Sequence, residues 1–167
     1  VDVVVMCNVL HEIDPDQWIS LFGPSSILCK LLAPTGHILF VEDYGITVGE
    51  RAHRFGFLLL DEPELCSLFW VKEADRSDCR FIRETTVNDE RYRNRLVAHL
   101  IGKDCIARIT SQSQVNAIRG LHDRMAGELT SLLASDSAAS SESGRAYARC
   151  SQLMANATLW LRTHQGV

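Results

Sequence analysis

The sequence predicts an α/β fold: the later half of a doubly wound, mostly parallel sheet with an antiparallel hairpin at its edge, followed by a helical hairpin. Three observations carry this. The chain opens on Val1-Asp2-Val3-Val4-Val5-Met6-Cys7, an almost unbroken apolar and β-branched run that suits a strand covered on both faces. A second run, His37-Ile38-Leu39-Phe40-Val41-Glu42, follows far enough on to allow a right-handed crossover between parallel neighbours. The last third of the chain places apolar residues three and four apart, as amphipathic helices require. Nothing in the sequence before Val1 supplies partners for the first run, and no glycine-rich turn follows it. It therefore reads as the central strand of a larger domain.

Each element has its own local signal. Asp14-Pro15 is a helix start, with Asp as the cap and Pro at the first helical position. Trp18, Ile19, Leu21 and Phe22 give that helix its apolar bulk, Gly23-Pro24 breaks it, and Ile27, Leu28, Leu31 and Leu32 continue an inward face. Ala33-Pro34-Thr35-Gly36 is a turn into the second strand. The polar stretch from Tyr44 to Arg54 reads as a loop. Phe57-Leu58-Leu59-Leu60-Asp61 is apolar but too short for periodicity to assign. Glu62-Pro63-Glu64 opens a helix through Phe69 or Trp70, with acids where the helix dipole favours them.

Residues 79–110 read as a hairpin. One arm is Cys79 to Val87, Asn88 to Asn94 connect, and the other arm runs from Arg95 to Ile109 with an interruption at Gly102-Lys103-Asp104. This gives a first domain over residues 1–110. The remainder, 111–167, is a helical hairpin: Val115, Ile118, Leu121, Met125, Leu129 and Leu132 form one stripe, and Tyr147, Cys150, Met154, Ala157 and Leu161 another. The Ser/Ala-rich stretch 134–143 links them.

Composition narrows the functional classes. The chain has 167 residues, 46% hydrophobic and 23% charged, with a net charge of −4, which gives no reason to expect nucleic acid or an acidic membrane as partner. No apolar stretch reaches the roughly 18–20 residues that span a bilayer. Six cysteines without a CxxC pair suit buried thiols in a reducing compartment, so the cytoplasm is the expected location. The six histidines show no ligand spacing, and no metal is expected.

Ligands of open α/β sheets sit beyond the carboxyl ends of the strands, which places Asn8 to Glu12 and Glu42 to Gly45 on one crevice. The ordered set Val3-Val4-Val5-Met6-Cys7-Asn8-Val9-Leu10-His11-Glu12-Ile13, a Trp-containing helix, Leu32-Ala33-Pro34-Thr35-Gly36 and Ile38-Leu39-Phe40-Val41-Glu42-Asp43 resembles class I S-adenosylmethionine-dependent methyltransferases. The resemblance covers residues 1–43 and continues loosely to about residue 110, where the family ends its sheet in an antiparallel hairpin. It implies the carboxy-terminal portion of a methyltransferase acting on an oxygen, nitrogen or carbon acceptor, a small molecule. Cys7, Asn8 and Val9 would then border the methyl donor. His11 would orient or deprotonate the acceptor, with Glu42 and Asp43 assisting; Tyr44, Glu50, Arg51 and His53 lie on a loop that could cover it.

The family's glycine-rich loop and ribose-binding acid have no counterpart in these residues, so the 167 residues alone are expected to bind S-adenosylmethionine weakly or not at all. The alternative is a catalytically silent, methyltransferase-like module that pairs with another protein through an open sheet edge or the helical tail.

Overall fold

The computed structural model describes residues 1–46, 48–83, 95–134 and 141–164. Strands β1 (Val3–Cys7), β2 (His37–Asp43), β3 (Arg80–Arg83) and β4 (Leu96–Gly102) form one sheet in the order β1-β2-β4-β3. β1 and β2 are parallel, with Val4 opposite Ile38 and Met6 opposite Phe40. β4 is antiparallel to β2 on one side and to β3 on the other. Three strands therefore point the same way and β4 alone opposes them. The parallel unit and the edge hairpin were both legible in sequence. The end of the first hairpin arm and the connection at 88–94 lie outside the described residues, as does 135–140 of the Ser/Ala-rich stretch.

The register gives the sheet two unlike faces. Ile38, Phe40 and Glu42 of β2 are buried together with Val97, His99 and Ile101 of β4. On the opposite face, Val5 of β1 is 60% exposed and Ile82 of β3 is 58% exposed, and Val3 and Leu96 are exposed as well. Among the described residues, the first strand, expected to be covered on both faces, is covered on one. Among the described residues it borders the sheet with β2 as its single neighbour. Packing among the described residues is seen on one face, so the α/β sheet is shown but a doubly wound arrangement is not.

The covered face is closed by aromatic packing. Phe40 stacks on Phe69 and meets the edge of Phe22, while Trp18 and Phe22 are fully buried. A 3-10 turn, Pro15–Gln17, leads into α1 (Trp18–Phe22), and the Asp14 side chain accepts from the Asp16 N–H as the cap. Ser26 caps α2 (Ile27–Leu31) by accepting from the Cys29 N–H. Here Cys29 and Leu32 turn inward, whereas Ile27 and Leu31 are exposed, the reverse of the expected face for those two. Two five-residue helices separated by a break cannot hold one continuous stripe in phase.

Phe57 to Leu60 are buried yet neither helix nor strand. Burial without a ladder requires other partners for the carbonyls, and the Asn156 side chain donates to Phe57 O at 2.9 Å. Next, α3 (Glu62–Leu68) starts with a reciprocal capping box: Glu62 N–H donates to Asp61, and Asp61 N–H donates to Glu64. The second hairpin arm ends at Gly102 rather than near Ile109. There α4 (Lys103–Ile106) takes over, because Lys103 N–H donates to Gly36 O and its ammonium to Leu32 O, turning the chain away from the sheet.

α5 (Ser111–Ala134) and α6 (Ser141–His164) are antiparallel: Gln114, early in α5, donates to Pro15 O, and Trp160, late in α6, donates to Asp16 at 2.8 Å. In α5, Ile118, Leu121, Met125 and Leu129 are buried as the stripe requires. In α6 the buried line is Cys150, Leu153, Ala157 and Trp160, while Tyr147 is exposed. α5 also packs on α3, where Arg124 forms an ion pair with the buried Glu64 at 2.8 Å. One hydrophobic core thus draws on residues from Leu10 to Trp160.

Asp61 ties three elements together. It caps α3, accepts from His99 of β4 at 3.1 Å and pairs with Arg83 of β3. Burial pushes its pKa up, but the His99 hydrogen bond, the Glu62 N–H and the Arg83 charge bring it well below the ordinary 3.8. A carboxylate depressed on folding stabilises the fold above its unfolded pKa, and that contribution disappears as pH falls toward the folded one. The melting temperature is therefore expected to fall below about pH 4. Asp61→Asn keeps a capping oxygen but removes the charge that His99 and Arg83 meet, so it should cost about 1 kcal/mol at pH 7 and flatten that acid limb. Thermal unfolding across pH reads both, and an unchanged acid limb in the variant would contradict the assignment.

Candidate active site at the strand tips

The parallel pair ends in two clusters that do meet. Asn8, the residue after β1, has a left-handed backbone (φ 52°), a conformation asparagine tolerates better than most residues. That turn lets its N–H donate to Val41 O at 2.8 Å while its side-chain oxygen accepts from Asp43 N–H at 2.9 Å. Asn8 therefore laces the tips of β1 and β2 together. Cys7, Asn8 and Val9 are all exposed and form an open rim.

The next turn, Leu10–Glu12, is a 3-10 helix that buries Leu10 and His11. The alternation of β2 sends Glu42 to the covered face, where it is 2% exposed. Its two oxygens divide their work: one accepts from Leu10 N–H at 2.9 Å, and the other lies 2.5 Å from His11 Nδ1. Phe57 presents its ring edge-on to the imidazole. A carboxylate at Nδ1 fixes the tautomer that carries its proton there, leaving the Nε2 lone pair to face outward. Nε2 looks toward Glu50, whose carboxylate is 3.7 Å away. Burial alone would lower the His11 pKa. The Glu42 hydrogen bond and the charges of Glu42, Glu50 and Glu12 outweigh it and hold the imidazole above its ordinary value.

Asp43 has a different role from its neighbour. Strand alternation turns it to the other face, where Arg95 grips both its oxygens, at 3.1 and 2.6 Å, and Gly45 N–H donates to it at 2.6 Å. Burial pushes its pKa up, but Arg95 and Gly45 bring it below the ordinary carboxylate value. It braces the turn after β2; the imidazole is oriented by Glu42.

The loop after β2 closes over the cluster through contacts no spacing could announce. Gln152 of α6 accepts from Gly49 N–H at 2.7 Å and donates to Glu50 O at 3.2 Å, which pins the segment carrying Glu50. Arg54 pairs with Asp14 and Asp16 at the start of the first helical segment. His53 is held below the ordinary imidazole pKa, chiefly by burial, and its Nε2 is buried with no hydrogen-bond partner among the described residues. Tyr44 and Arg51 make no hydrogen bond to His11 among the described residues; Tyr44 is buried beneath the Arg83 guanidinium. Glu50 and Phe57 are the residues that bear on the imidazole and that sequence could not rank.

Chemically, the arrangement is a buried, carboxylate-oriented imidazole in the turn that follows an exposed rim at the carboxyl ends of two parallel strands. It can accept a proton at Nε2, or donate one, at a position fixed from behind. No protein-family model, curated protein or solved structure matches this chain.

The orienting role of Glu42 is testable in isolation. In Glu42→Gln the charge behind the ring is gone while burial remains, so the His11 pKa should fall from its raised position. Proton NMR titration of the His11 ring reads this directly, and an unmoved titration would remove Glu42 from the role.

Proposed function

We propose that the chain provides the acceptor side of a methyl-transfer site that uses S-adenosylmethionine. The reading is carried by one observation: Glu42 fixes His11 from behind at the point where two parallel strands end. The resemblance of residues 1–43 to class I methyltransferases supplies the donor chemistry, a methyl group on a sulfonium sulfur. The chain's own residues supply placement and proton handling. His11 Nε2 takes the proton of an acceptor hydroxyl, amine or carbon acid as that atom becomes nucleophilic, and Glu42 stabilises the resulting imidazolium. The exposed rim of Cys7, Asn8 and Val9 borders the donor. The 167 residues contain no glycine-rich turn after an early strand and no ribose-binding acid, so they fit the acceptor end of the donor rather than its nucleoside.

Among the described residues, the exposed apolar side chains of Val3, Val5, Ile82 and Leu96 on one sheet face favour a second reading, a methyltransferase-like module that docks another protein. The two separate in one assay. With the protein expressed from its whole reading frame, formation of S-adenosylhomocysteine is followed over a panel of oxygen, nitrogen and carbon acceptors. His11→Gln is expected to reduce turnover by about 10²–10⁴-fold with donor affinity unchanged. Equal turnover in that variant would remove His11 from the chemistry, and no turnover with any acceptor would favour the docking module.

A further inference from the structure

We propose that His11 Nε2, Glu12 and Glu50 form a binding site for a divalent transition-metal cation of the zinc type. The imidazole nitrogen and the two carboxylates have ligand atoms that all lie within 4.8 Å of one another, although Glu50 is remote in sequence from the other two. One imidazole and two carboxylates are a donor set suited to Zn²⁺ and its first-row neighbours, and three protein ligands leave a position open.

A second observation points to the same ligand. His11 is 4% exposed, and its Nδ1 is already taken by the buried Glu42. A carboxylate behind a histidine is the arrangement that fixes a metal-binding imidazole, because it sets the tautomer and strengthens the opposite nitrogen as a donor. That nitrogen makes no hydrogen bond among the described residues; Glu50, at 3.7 Å, is beyond normal hydrogen-bond length. Two carboxylates converging on one imidazole also repel each other, and a cation between them relieves the repulsion. Gln152, bonded to Gly49 and Glu50 O, holds the loop where Glu50 can reach.

The inference concerns the same nitrogen as the methyl-transfer reading but does not require it. A cation and an acceptor's proton compete for Nε2, so on that reading the cation inhibits turnover. Cation binding itself is measured with no methyl donor present.

The experiment is calorimetric titration of ZnCl₂ into chelator-stripped protein, in a Cys7→Ser background so that the exposed thiol near the strand tip does not compete. Wild type is compared with Glu12→Gln, Glu50→Gln and Glu73→Gln, the last a remote, almost fully exposed carboxylate. One site per chain is expected, weakened about tenfold or more in each of the first two variants and unaltered in the third. Zn²⁺ should also raise the melting temperature of wild type more than that of Glu12→Gln or Glu50→Gln. Neither of these carboxylates belongs to the core, so metal-free melting temperatures should match and loss of binding is not loss of fold. Equal affinity in all three variants, or no binding to wild type, overturns the site. If Zn²⁺ binding follows the carboxylates while no acceptor is ever methylated, the metal site stands and the transfer reading falls. A protein that methylates an acceptor and neither binds Zn²⁺ nor slows in its presence overturns the metal site and leaves the transfer reading standing.

Discussion

A single buried carboxylate organises the strand tips. Glu42 has left water and must have both oxygens answered. It finds a backbone N–H from Leu10 and a ring nitrogen from His11. Removing one partner of such a buried pair typically costs about 3–5 kcal/mol, because the remaining charge has nowhere to go. The pair therefore holds the Leu10–Glu12 turn against β2 and decides which nitrogen of His11 meets the outside. Structure and chemistry rest here on the same two hydrogen bonds.

The sheet around this pair is lopsided. One face supports aromatic packing from α1 and the end of α3, with α5 and α6 beyond, while the other presents Val3, Val5, Ile82 and Leu96 to solvent. Apolar side chains on a strand without a covering layer are a standing invitation to association. Among the described residues, β1 lies at the border of the same sheet. Fold alone does not assign function, and the proposed chemistry rests on side chains at the tips rather than on the sheet they stand on.

Much of this was readable from sequence where the signal is local. β-branched runs marked β1 and β2, Asp14-Pro15 marked a helix start through capping chemistry, Glu62-Pro63-Glu64 marked another through acids in the first turn, and a three-four spacing marked α5; the Asp61 cap itself was not foreseen. His11 and Glu42 could be named because each follows or ends a strand. What escaped depends on contacts between distant segments. The coverage of β1 depends on which layers exist, not on Val3 or Val5. The burial of Phe57 to Leu60 has no periodicity of its own and is satisfied by α6 and α5 side chains. Asp43 and Glu42 are adjacent in sequence, yet alternation sends them to opposite faces and opposite roles, and Arg95 was needed to see it.

Gln152 ties the Gly49-Glu50 segment beside His11 to the last helix across about a hundred positions of sequence. The two have therefore been shaped as one unit. A chimaera that keeps the first hundred residues and borrows its tail from elsewhere would keep Glu42 behind His11 but lose the side chain that sets where Glu50 stands.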